Sequence, residues 1–243
     1  MILINTGLAT YSFVFLYSLS FLSTSDFNQI LLSLLVKLGL CKKMEKSKDK
    51  VKEPFSAYGS YSYADYLSWQ LDEMVELIRG KVFRQAAAAP RRIHEELTVA
   101  LVTRIHGYLK GGSCKVYTAP FDVRLPVSSR KHKDIDTVVQ PDLCVVCNSE
   151  KLDELGCVGA PDLVIEILSP GNNKKELQLK YEVYEASGVK EYWVIHPDER
   201  TLLIYTLETG NYRPSRLYTM GDRVKSEVLL GFELDLDEVF GEL

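Results

Sequence analysis

Apolar and polar positions repeat with different periods along the 243-residue chain, and each change of period predicts an element. Leu97, Leu101, Ile105 and Leu109 recur every four residues, with Ala100 and Tyr108 beside them and Gly111-Gly112 closing the run. That is the stripe of a core-packing helix over 91–110. Upstream, 63–69 predicts a short helix with Ser62 as N-cap, and the runs 74–78 and 81–84 flank Arg79-Gly80 as a hairpin turn. Residues 114–125, 137–147 and 163–168 are β-branched runs bounded by turn residues, and predict three strands. Helix formers fill 174–188 up to Gly188, with Leu177, Tyr181 and Tyr184 expected on the core face. A strand at 191–195 then completes a βαβ crossover. The remaining runs, 201–206, 212–219, 224–230 and 232–236, predict an antiparallel extension that enlarges the sheet or mediates a homodimer. The expected fold is α/β, with a central mixed sheet flanked by helices.

Two of the strand runs carry carboxylates that a buried strand has no packing reason to hold. Gln140-Pro141-Asp142-Leu143-Cys144-Val145-Val146 contains Asp142, and Ala160-Pro161-Asp162-Leu163-Val164-Ile165-Glu166-Ile167-Leu168-Ser169-Pro170 contains Glu166. On neighbouring strands the pair could hold a hard divalent cation through oxygen, which would activate water and neutralise phosphate charge. The structural alternative makes Asp142 a strand-entry residue after Pro141 and Glu166 a strand-end carboxylate paired with a surface lysine.

Taken in order, Val75-Glu76-Leu77-Ile78-Arg79-Gly80-Lys81-Val82, His94, Pro141-Asp142, the 159–170 run, Glu176, Lys180, Tyr184, Gly188-Val189 and Glu191-Tyr192-Trp193 resemble the Uma-two family of restriction endonucleases. That family belongs to the PD-(D/E)XK nuclease superfamily, and the resemblance spans about 60–240. It implies a restriction-endonuclease-like core and a Mg²⁺- or Mn²⁺-dependent endonuclease that hydrolyses DNA phosphodiester bonds. Asp142 and Glu166 would be the catalytic metal ligands, with the Ile167 carbonyl a further ligand and Glu76 an outer one. A solvent-facing strand position is the other reading of Glu76. His94, in the first turn of its helix, is expected to be structural or peripheral, although a helix preceding the site strands could bring one first-turn residue near the metal.

One position departs from the superfamily pattern. The lysine expected two residues after the second acid is replaced by Leu168, which shares a strand face with Glu166 and offers no proton chemistry. Lys180 is the candidate substitute, moved from strand to helix; its alternative is a surface i,i+4 pair with Glu176. Leu168 also supports a second function: a nuclease-fold module that binds nucleic acid or a protein partner without cutting. A hydrolase of small phosphorylated molecules is a third.

Charge and the N-terminus adjust this picture. The first 43 residues contain Asp26 as their one acid and no base before Lys37. Their apolar stretches, 8–22 and 30–40, are respectively interrupted by polar residues and too short for a membrane span. They are read as a leader outside the native domain, with translation expected from Met44; a polar segment over 44–60 then precedes a domain over 61–243. On that reading no stable membrane association is expected. Without the leader the chain is acidic, which argues against coating nucleic acid by bulk charge. A local groove remains open, and Arg130, Lys131 and Lys133 in the 126–136 loop are the candidate phosphate contacts.

Of the five cysteines, Cys144 and Cys147 have C-x-x-C spacing. Three apart in a strand, they point to opposite faces, which disfavours zinc. All five are expected to be reduced in a cytoplasmic protein.

Overall fold

The computed structural model describes residues 60–70, 74–84, 91–126, 128–169 and 174–241. The leader, most of the polar segment and Cys41 lie outside them. In chain order the elements are α1 (Tyr63–Tyr66), β1 (Val75–Ile78), β2 (Lys81–Arg84), α2 (Arg92–Leu109), β3 (Lys115–Thr118), β4 (Val123–Arg124), β5 (Val138–Val139), β6 (Leu143–Val146), β7 (Leu152–Asp153), β8 (Gly156–Val158) and β9 (Leu163–Ile167). After these come α3 (Lys174–Ser187), β10 (Glu191–His196), β11 (Thr201–Glu208), β12 (Asn211–Pro214), β13 (Tyr218–Thr219), β14 (Arg223–Lys225), β15 (Glu233–Asp235) and α4 (Leu236–Phe240). Among the described residues no helix is long and apolar enough to cross a membrane.

The strands form a sheet ordered β2-β1-β5-β4-β8-β7, another ordered β12-β11-β10-β9-β6-β3 with β13 also on β11, and a small β14-β15 pair. In the second sheet β9 and β10 are parallel, joined through α3 as the expected crossover. Its central strands are covered on both sides. Leu97, Leu101 and Ile105 of α2 pack with Leu143, Val145, Ile165 and Trp193 on one face. Val183 and Tyr184 of α3 pack with Cys144, Val164 and Val194 on the other. Burial of both faces is why these strands read as continuous apolar runs rather than alternating ones.

Local chemistry fixes the ends of the elements. Ser62 and Asp65 make a reciprocal capping box on α1. Arg79 (φ 51°) and Gly80 (φ 74°) give the β1-β2 hairpin its primed turn, and a Cβ on Gly80 would lie 2.4 Å from Ser60 Oγ.

Several expectations are corrected. Runs 114–125 and 137–147 are not two strands but four, β3 and β4, then β5 and β6, and each run passes from one sheet to the other. Each contains a proline, Pro120 or Pro141, which lacks the N–H a ladder needs. The core face of α3 is Glu176, Lys180, Val183 and Tyr184, while Leu177 and Tyr181 are only partly buried. The extension enlarges the sheet through β11, β12 and β13, whereas β14 and β15 form their own pair. The final helix, α4, was not expected; Asp235 caps it by accepting the Asp237 N–H.

The cysteines are corrected as well. Cys114 and Cys147 form a disulfide, while Cys144 and Cys157 are free and buried. The β3-β6 register pairs Lys115 with Val146, so one further step sets the two cysteines opposite each other. Disulfides are rare in reducing compartments, so the bridge removes the thiol argument for a cytoplasmic setting. Replacing both by serine is expected to cost about 2–4 kcal/mol. Denaturant unfolding with and without reductant checks this, and identical midpoints would contradict it.

Candidate active site

Asp142 enters the site through the strand pairing. β6 and β9 are antiparallel, with Cys144 opposite Val164 and Leu143 opposite Ile165, so the next step sets Asp142 opposite Glu166. Directly opposed residues share a face. Asp142 is anchored by its neighbour in the ladder: its Oδ2 accepts the Ile167 N–H at 2.6 Å. Its Oδ1 lies 3.2 Å from His94 Nε2, in the first turn of α2. That hydrogen bond with Asp142 raises the His94 pKa, against the effect of burial.

Glu166 is buried beneath α3, where its Oε1 accepts from Lys180 Nζ at 3.0 Å and from the Tyr184 hydroxyl at 2.8 Å. Lys180 is 4% exposed, so the surface-pair reading does not describe it. Its ammonium also lies 3.1 Å from Glu76 Oε1. Glu76 comes from β1 of the other sheet and is 1% exposed, not solvent-facing; the same oxygen accepts the Gln140 N–H at 2.7 Å. Among the described residues its buried Oε2 has no hydrogen-bond partner.

Charge is unbalanced in this cluster. One ammonium faces Glu166 and Glu76, with Asp142 and the buried Glu176 close enough to act on the same groups. Burial, reinforced by Asp142 and Glu76, pushes the Glu166 carboxyl up to about 7 despite Lys180. Burial opposes the Lys180 charge, yet Glu166 and Glu76 hold its pKa well above the ordinary value. The two shifts agree physically: one cation cannot neutralise several carboxylates, so Lys180 favours its charged form while proton loss from Glu166 is made harder.

Excess negative charge of this kind is what a divalent cation would neutralise. Among the described residues no group of three or more His, Cys, Asp or Glu side chains forms a metal cage. The Asp142 and Glu166 carboxylates and the Ile167 carbonyl are hard oxygen donors of the kind such a cation would take. Mg²⁺ is commonly bound in this way, by one or two carboxylates plus substrate phosphate oxygens.

The structure thus brings together Asp142, Glu166, Ile167, Glu76 and Lys180. Arg130, Lys131 and Lys133 are placed elsewhere: Arg130 donates to the carbonyls of Glu150 and Val158, and the two lysines lie exposed around a short turn, His132–Asp134. Sequence reasoning read Tyr184 as a core residue and His94 as structural or peripheral, with a place near the metal left open. Both appear in the motif order of the resembled family, and Tyr184 falls four residues after Lys180, which was the available signal.

Comparison with known proteins follows this geometry. An uncharacterized protein of Synechocystis sp., slr1290, is 23% identical over 133 residues, 54% of this chain and 65% of that protein. The chain thus spans just under two thirds of that relative. A crystal structure of a putative nuclease belonging to DUF820 from Anabaena variabilis superposes with a TM-score of 0.60 at 19% identity, covering 74% of this chain and 98% of that one. At that identity the likeness establishes a shared fold, in agreement with the expected restriction-endonuclease-like core. The model of the Uma2 family, described as "Putative restriction endonuclease", matches residues 63–237, and the chain accordingly belongs to that family.

Proposed function

We propose that the protein is a metal-dependent endonuclease that hydrolyses DNA phosphodiester bonds. The observation that carries this reading is the corner of the β6-β9 ladder, where Asp142 and Glu166 stand opposite each other with the Lys180 ammonium bonded to Glu166. Asp142, Glu166 and the Ile167 carbonyl would hold Mg²⁺ or Mn²⁺, which supplies a Lewis acid and a more acidic water. The Ile167 N–H fixes the Asp142 carboxylate, while Tyr184 and Lys180 fix one oxygen of Glu166. Lys180 also carries a compact charge that can orient water or stabilise charge developing on phosphate. This corner supplies what the superfamily pattern assigns to the residue at Leu168, with the amine arriving from the helix.

The test is incubation of the purified protein with plasmid, linear and single-stranded DNA in Mg²⁺, Mn²⁺ or EDTA. Cleavage that requires metal supports the proposal. A second reading, binding without cutting, is favoured by Leu168 and the acidic charge balance, and metal-independent binding with intact DNA would establish it.

Two further outcomes are expected. Glu166 holds its proton up to about 7, and a carboxylate must lose it to bind a cation. Mn²⁺ affinity should therefore rise with pH, a dependence that Glu166→Gln reduces, with the remainder left to His94 beside Asp142; calorimetry in buffers of different ionisation enthalpy counts the protons released. The sign for folding is opposite. The folded state binds this proton more tightly than the unfolded chain, so its contribution to metal-free stability is full below the ordinary carboxylate range and is lost as pH rises through about 7.

Salt should weaken DNA binding, and replacing Arg130, Lys131 and Lys133 together should flatten the slope if the 126–136 loop touches phosphate. An unchanged slope would place the groove elsewhere.

A further inference from the structure

Glu76 is the one buried acid of the cluster that comes from the other sheet, and it is connected on two sides. Its Oε1 accepts the Gln140 N–H at 2.7 Å, two residues before Asp142, and lies 3.1 Å from Lys180 Nζ. We infer that Glu76 is a positioning residue for Lys180, holding the ammonium against Glu166 and tying it to the segment that carries Asp142.

The argument begins with the side chain of Lys180. Its four-carbon stem is flexible and its ammonium has three donors. A single acceptor, Glu166, would leave Nζ a wide arc of positions. A second acceptor on an independent element reduces that arc to one point and leaves the third donor for water or a phosphate oxygen. Because Glu76 is itself fixed by Gln140, the point is set relative to Asp142. Stability alone is a poor reason for the arrangement, since buried ion pairs are often no better than apolar packing. Among the described residues Oε2 of Glu76 is buried without a hydrogen-bond partner, which a purely stabilising residue would have no cause to retain.

The inference deepens the nuclease reading, and Glu76→Gln tests it. The amide keeps the shape and still accepts from Gln140, but removes the charge. The first readout needs no activity: ¹⁵N-lysine NMR of the metal-free protein, with the Lys180 ammonium signal identified by its loss in Lys180→Met. Held between two carboxylates at 4% exposure, that signal should be protected from exchange in the parent and lost or strongly broadened in Glu76→Gln. The second readout is kinetic, with kcat expected to fall at least tenfold while KM and the Mn²⁺ Kd stay within threefold. Adding Glu76→Gln to Lys180→Met should cause no further loss, since the residue acts through Lys180.

An unchanged ammonium signal overturns the inference whether or not the parent cuts DNA. A tenfold loss of Mn²⁺ affinity overturns it by making Glu76 a ligand, and an unchanged kcat makes the pair merely structural. If the signal is lost as expected but the parent cuts no DNA, the positioning holds and the nuclease reading fails. Should Glu76→Gln not fold, the double variant, which removes both charges, is compared with Lys180→Met: further loss of Mn²⁺ affinity overturns the inference, and equal affinity upholds it.

Discussion

Replacing Asp142 or Glu166 by alanine is expected to abolish DNA cleavage and to weaken Mn²⁺ binding at least tenfold while the protein stays folded. Each substitution removes one of the two carboxylates proposed to hold the cation, and a hard cation depends on such anionic oxygen donors. The two variants should differ in stability. Asp142 sits at a strand entry and is partly exposed, so its loss costs chiefly its hydrogen bonds with the Ile167 N–H and His94. Glu166 is buried under α3, and its loss leaves Tyr184 without its acceptor and Lys180 with Glu76 as its remaining ion-pair partner. Calorimetric Mn²⁺ titration alongside circular dichroism separates binding from folding. Parental metal affinity in both variants would show that the site has been misassigned.

Lys180→Met is expected to reduce cleavage strongly while Mn²⁺ affinity stays near that of the parent, because an ammonium is not a metal ligand. Methionine keeps much of the stem packing, yet the buried position makes this substitution more costly than a surface change. Glu166 and Glu76 would face each other without their shared cation, and breaking a buried pair typically costs about 3–5 kcal/mol. The carboxylates can relieve the repulsion by holding a proton, so the loss of stability should be smaller at low pH and grow as pH rises. Kinetics are therefore to be compared at a pH and temperature where both proteins are folded. Lys180→Arg is the sharper control, since a planar fork keeps the charge but cannot place a compact ammonium between two carboxylates. A Met variant that cuts at the parental rate would remove Lys180 from the chemistry.

Local sequence was a reliable guide where one element's own pattern decides the outcome. The four-residue spacing of Leu97, Leu101 and Ile105 required the α2 helix, Arg79-Gly80 required the hairpin turn, and Ser62 required the cap on α1. The pairing of carboxylates with apolar strands singled out Asp142 and Glu166 for the same reason: charge in a buried run is legible without knowing what surrounds it. Motif order added the family, and with it the expected fold and the attention to Lys180.

Contacts between distant segments were settled only by the tertiary structure, because sequence spacing carries no information on register or on which sheet a strand joins. The C-x-x-C spacing drew attention to Cys144 and Cys147, while the partner of Cys147 was Cys114, across the β3-β6 ladder and 33 residues away. Glu76 stood open between an outer metal ligand and a solvent-facing strand residue until β1 and α3 were brought together, where it became a buried partner of Lys180. The face of α3 was misjudged because aromatic and aliphatic residues were assumed to turn inward. Glu176 and Lys180 turn inward instead, since the sheet beneath them already holds Glu166, and a buried carboxylate recruits a cation that hydrophobic periodicity cannot reveal. The sequence thus determined α1, the hairpin, α2, the α3 crossover and the family, and drew attention to Asp142 and Glu166; the tertiary structure decided the division of the strands between sheets, the lysine's partners, the disulfide and the place of His94, all of which depend on long-range pairing.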